Sequence, residues 1–157
     1  VHWESANEHS LDVMATTLPD VEWLRRYFAK RKKRLSYFNT SLMSAVKRTA
    51  KEAHILVDEL REYADQNVAY DLDDLFAPLH KDSFYRHPRY FTDYKVSGKD
   101  APWVRVYAVK MDNNLYAITG YGVKLVPKIQ GDVYLEMELD KLERATTYLK
   151  EEGLLDI

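Results

Sequence analysis

The chain has 157 residues, room for one domain with a hydrophobic core and little for a second. Hydrophobic residues make up 46% and charged residues 31%, the balance of a globular protein, and the lack of cysteine excludes disulfides and thiolate metal sites. No stretch approaches a membrane span and the start lacks a basic-then-apolar signal, so a soluble, cytoplasmic protein is expected, with no membrane partner.

The net charge of −2 conceals blocks. Residues 1–24 carry five acids and no base, residues 25–51 ten bases and no acid, and residues 52–82 nine acids against two bases. Residues 83–130 hold eight bases and three acids, and the tail from Asp132 turns acidic again. Such blocks concentrate potential locally while the total stays near zero.

In chain order, Leu11, Met14 and Leu18 have helical spacing, closed by Pro19. Asp20 is a natural N-cap for a second helix, and Glu22 suits that helix's positive end. Val21, Leu24, Phe28 and Leu35 form its apolar stripe, with a loose last step. Asn39-Thr40-Ser41 is a cap-rich break before a third helix over about 42–65, whose stripe is Leu42, Val46, Ala53, Val57, Leu60 and Ala64. Arg61 and Asp65 are spaced to pair on its outside. Together these predict a helical hairpin over 20–66. Asp71–Leu79 reads as a short capped turn stopped before Pro78. Residues 81–102 are irregular, with a strand expected around Tyr90–Val96.

Trp103–Met111 and Leu115–Val126 alternate with β-branched and aromatic residues around Asp112-Asn113-Asn114, which predicts a β-hairpin. Asp132 caps a last helix striped by Leu135, Leu139, Leu142, Ala145 and Leu149, and Gly153 sits where a left-handed terminal residue belongs. The fold class is therefore α+β: an N-terminal helical hairpin packed on a small antiparallel sheet, followed by a C-terminal helix. One domain is expected over 1–157, with the β-hairpin and terminal helix at 100–152.

A two-residue turn pairs Arg105 with Gly122 and Trp103 with Lys124. Alternation then gathers Trp103, Arg105, Tyr107, Gly120, Gly122 and Lys124 on one face, and Val104, Val106, Ala108, Ala117, Thr119, Tyr121 and Val123 on a core face. A three-residue loop would instead set Arg105 opposite Tyr121. Arginine suits phosphate, because its planar fork binds oxygens bidentately, and neighbouring rings can stack unpaired bases. The plainer alternative has Arg105 at a sheet edge and the aromatics packed under a helix.

Trp103-Val-Arg-Val-Tyr, Leu115-Tyr-Ala-Ile-Thr-Gly-Tyr-Gly-Val-Lys, and Glu143-Arg144 with Tyr148-Leu149 resemble the RelE/HigB toxin family, most closely its phage-derived HigB-like branch. The likeness covers residues 100–152, and the helical hairpin matches the family's paired helices. It implies an mRNA interferase, usually ribosome-associated, held in check by a helix-turn-helix antitoxin and needing no cofactor. The family's strand arginine falls on Arg105 and its following lysine on Lys124 or Lys128. Tyr121 replaces the aromatic before that lysine, and Arg144 and Tyr148 take the terminal-helix positions. The chain is half again as long as most members, its pI near 6.2 is unlike the usual basic toxins, and no histidine lies in 119–124 to act as base. It also resembles a group of Bacteroidetes proteins with a Leu-Phe-x-Pro-Leu-His segment (75–80 here), which names relatives and no activity.

The expected function is thus a toxin-like, metal-independent ribonuclease. Arg105, Lys124, Lys128 and Tyr121 form its catalytic set, and Trp103, Tyr107, Arg86, Arg89, His80 and His87 contact RNA. The five histidines have no metal-ligand spacing. The alternative is a non-catalytic protein- or RNA-binding domain that uses the basic helices, where Tyr27, Phe28, Tyr37 and Phe38 interleave the cations of 25–51.

Overall fold

Asp20 and Ser41 open the main helices of the first half by capping them. The Asp20 carboxylate accepts from the Trp23 N–H and starts α2 (Val21–Ala29), and the Ser41 hydroxyl accepts from the Ser44 N–H and starts α4 (Leu42–Ala64). Before them lies α1 (Ser10–Thr17), and between them α3 (Lys32–Tyr37). The computed structural model describes residues 9–65, 71–79, 91–94, 102–125 and 132–155.

The single second helix expected up to Leu35 is broken at residues 30–31. Arg31 and Lys32 stand where an apolar face continued from Phe28 would need hydrophobic residues, and after the break Leu35 lies in the core at 3% exposure. Val21, expected on the stripe, is 51% exposed, and Ala64 is exposed as well. Arg61 reaches across to Asp12 at 3.9 Å, an exposed contact worth tenths of a kcal/mol.

The sheet has four antiparallel strands in the order β1 (Phe76–Pro78), β2 (Phe91–Tyr94), β3 (Val104–Asp112), β4 (Leu115–Val123), and α5 (Val133–Glu151) follows. Asp71 caps a 3-10 turn at Leu72–Asp74 as expected, but the chain then forms β1, which was not. Val104–Tyr107 pair with Val123–Gly120 in the predicted register, including Arg105 with Gly122. Two compensating irregularities follow. Ala108 pairs with Ile118, leaving Thr119 as an extra residue, and Met111 is the matching extra residue on β3. The turn has positive φ at Asn114 alone (55°), where a type I′ turn needs it at both central residues.

The Thr119 bulge is held from two sides. Its hydroxyl donates to Tyr107 O at 3.3 Å, and its carbonyl accepts from the Ser10 hydroxyl of α1 at 3.1 Å. The extra residue reverses the side-chain parity beyond it. Ile118 and Tyr116 therefore pack on the face with Val104, Val106 and Ala108, and Ala117 moves to the other.

Both faces of the hairpin are buried. α1, α2 and α4 pack on one, with Leu24, Phe28, Val46 and Val57 against Val104 and Val106. α5 packs on the other, with Leu135, Leu139, Leu142 and Ala145 around Tyr107 and Val109. Asp132 caps α5, its Oδ1 accepting from the Tyr134 and Leu135 N–H groups at 3.1 Å each. At the far end Gly153 (φ 71°) allows Leu154 N to donate to Leu149 O. Asp132→Ala is expected to cost about 1 kcal/mol, the usual worth of such a cap, as a lower urea midpoint at unchanged slope.

Candidate functional site

The face expected to lie open is covered by α5. Gly120 and Gly122 make room for that helix: a Cβ on Gly122 would lie 2.8 Å from Leu135 Cδ2, and one on Gly120 would overlap the Glu138 carboxylate. Tyr107 is fully buried beneath α5. Trp103 is 5% exposed and turns to the opposite side, tilted against Phe28 and Phe38, with the Arg48 guanidinium 4.1 Å from its ring centre. Neither ring offers a surface to a base, which corrects the expectation for both. Arg105 is half-buried and donates from Nη1 to its own chain at Pro102 O, 2.9 Å away. Lys124 N donates to Trp103 O just beyond the paired strands. Arg144 and Tyr148 are exposed on α5. Lys128, Arg86, Arg89, His80 and His87 lie outside the described residues.

What the fold assembles instead is a cleft of about 430 Å³ along the outer edge of β4, the last strand of the sheet among the described residues, between α1 and α2 on one side and α5 on the other. An edge strand presents backbone groups outward, and two side chains take up carbonyls of β4 here. Ser10 donates to Thr119 O, and the Tyr27 hydroxyl to Val123 O at 3.2 Å. Of the predicted catalytic set, Tyr121 lines this cleft.

One wall is a column of stacked groups. The rings of Trp23 and Tyr27 lie 5.2 Å apart and nearly parallel. The Arg31 guanidinium covers the other ring of that pair, 3.6 Å from the Tyr27 centre, and reaches to 4.9 Å from the Tyr134 ring of α5. Its Nη1 donates to Tyr27 O at 2.8 Å, which fixes it. Burial, against the opposing charge of Arg31, pushes the Tyr27 hydroxyl up to about 12, so it remains a donor across the physiological range. Burial also raises the Tyr121 phenol, with a hydrogen bond to Thr17 acting the other way.

Among the described residues no group of three or more histidine or acidic side chains converges as a metal site. No family model, curated protein or solved structure matches the chain. Among the described residues no helix is long and apolar enough to cross a membrane.

Cationic and acidic side chains line the cleft beside its aromatic rings. Arg26, Lys30 and Arg31 of α2 and the residues after it line one side, and Lys141 of α5 the other. Between them sits Glu138, 13% exposed, with Oε1 at 3.0 Å from Lys141 Nζ and Oε2 buried without a hydrogen-bond partner among the described residues. Burial raises its pKa and the lysine opposes the rise. A carboxyl held above its ordinary range in a cationic, aromatic cleft is equipped to exchange a proton.

The basic block and the two glycines stand out in the sequence, whereas Glu138, Lys141, Trp23 and Tyr134 do not. Glycines at alternate positions of an edge strand followed by an acid-bearing helix were the available signal.

Proposed function

We propose that the protein is a toxin-like ribonuclease whose substrate lies in the β4-edge cleft and not on the Arg105 face. The observation that supports this is the gathering of four cations, Arg26, Lys30, Arg31 and Lys141, with four aromatic rings around one buried carboxyl. Unpaired bases stack on such rings and phosphates bind such cations. Glu138 takes the proton from a ribose 2′-hydroxyl, and the oxygen attacks the adjacent phosphorus. Arg31 and Lys30 stabilise the charge on the non-bridging oxygens. The 5′-oxygen leaves with a proton from Lys141, giving a 2′,3′-cyclic phosphate and a 5′-hydroxyl. An antitoxin and a RelE-like ancestry belong to the same proposal, on the strength of the sequence resemblance.

A second reading, a binding domain without catalysis, is favoured by one observation: α5 covers the hairpin face that carries Tyr107. The two separate in one experiment, with purified protein and end-labelled single-stranded RNA. Cleavage to cyclic-phosphate ends supports the nuclease, and binding with intact RNA supports the binder. Arg31→Ala is expected to weaken RNA binding by roughly tenfold, the order of one contact to a charged group. Arg105→Ala is expected to leave binding unchanged. If Arg105→Ala abolishes cleavage while Arg31→Ala does not, the cleft is the wrong site.

A further inference from the structure

The cleft does not end at Arg31. Lys30, Arg31 and Tyr134 also line a second depression, which runs over Lys32, Lys33 and Arg34 beside the start of α5. Lys32 in turn borders a third depression, formed with Ser36, Asn39 and the beginning of α4. The three adjoin through shared side chains and run across the α2–α3 turn. Among the described residues no carboxylate forms an ion pair with Lys30, Lys32, Lys33 or Arg34. Asp132, the acid in the second depression, is engaged in capping α5. Tyr37, 81% exposed, follows Ser36 of the third depression and offers a ring face to solvent.

Building on the proposed RNA reading of the cleft, we infer that the three depressions form one track for an extended single strand. One nucleotide sits at the β4 edge, successive phosphates follow Lys32, Lys33 and Arg34, and a further base stacks at Tyr37. A mononucleotide fills only the first part. A duplex does not fit this use, because its bases are already stacked and cannot engage the rings.

The test measures binding of 2′-O-methyl oligouridines, which cannot be cleaved by 2′-hydroxyl attack, as a dinucleotide and a twelve-nucleotide strand. Wild type is compared with a Lys32→Ala/Lys33→Ala/Arg34→Ala variant; all three positions are exposed, so the fold is retained. The longer strand is expected to bind wild type at least about tenfold more tightly, through added phosphate and stacking contacts. The triple variant should lose that gain and keep dinucleotide binding. Its salt slope should fall by roughly 2, from ~0.7 per lost phosphate contact on a single strand. Equal affinity for both lengths, or a length gain that survives the triple substitution, overturns the track while leaving the cleft in place. Binding of neither strand overturns both. Displacement of the long strand by polyglutamate of matched charge at a lower concentration than unlabelled strand requires would assign the track to an acidic protein and overturn the RNA inference.

Discussion

Glu138→Gln is expected to lower the cleavage rate by about 10²–10⁴-fold, the usual worth of a general base, while making the fold more resistant to urea at neutral pH. The two effects have one cause. Burial raises the pKa of Glu138 from its ordinary 4.5, with Lys141 opposing the rise. Between the unfolded and the folded value the native state binds more protons than the unfolded chain. Stability therefore falls as pH rises through that window, and the loss persists above it. Glutamine does not titrate, so the variant's stability should vary less with pH and exceed wild type above the window. Activity in the wild type should rise with pH across the same interval, because only the ionised carboxyl accepts a proton. A purely structural Glu138 would show the stability change with cleavage intact. Parallel loss of activity and stability would instead mean that the glutamine has disrupted the packing against Gly120.

Phe28→Ala is expected to cost about 3–5 kcal/mol, a large part of the stability of an ordinary domain. Phe28 is fully buried, with ring centroids 5.3 Å from Tyr27 and 6.1 Å from Trp103. It joins the helix that builds the cleft wall to the residues at the entry to β3. Those residues are also pinned by α4, where Glu52 Oε2 accepts from the N–H groups of Trp103 and Val104 at 2.8 and 3.3 Å. The remaining void cannot close without moving α2, so Arg31 and Tyr27 shift and RNA affinity falls along with stability. Urea unfolding measures the first effect and oligonucleotide binding the second, and Phe28→Leu should fall between wild type and alanine in both. A cost under about 1 kcal/mol for the alanine variant would contradict the packing of α2 on the sheet.

The hairpin shows how far local chemistry reaches. Asn113-Asn114 and the alternating flanks were sufficient for the two strands and for the Asp112–Leu115 pair at the turn, whereas Arg105 meets Gly122 as expected only because the extra residues Met111 and Thr119 cancel. The caps Asp20, Ser41 and Asp132 and the terminal Gly153 were legible too, each being a contact within a few residues. The Thr119 bulge was not. It depends on the Ser10 hydroxyl of α1, 109 residues away in sequence, donating to the Thr119 carbonyl.

The candidate site divides in the same way. Arg26, Lys30, Arg31 and the Tyr27 ring stood out in the sequence because they fall in one acid-free run. That Tyr107 is core, that the two glycines serve helix packing, and that Glu138 and Arg31 line one cleft were decided only by the docking of α5. Periodicity tells which side of a strand or helix is apolar, and the side-chain pattern of β3 and β4 is compatible with either one covered face or two. Which helix covers the second face is a long-range packing outcome, settled by volume and hydrogen-bond satisfaction across elements that the local sequence does not encode.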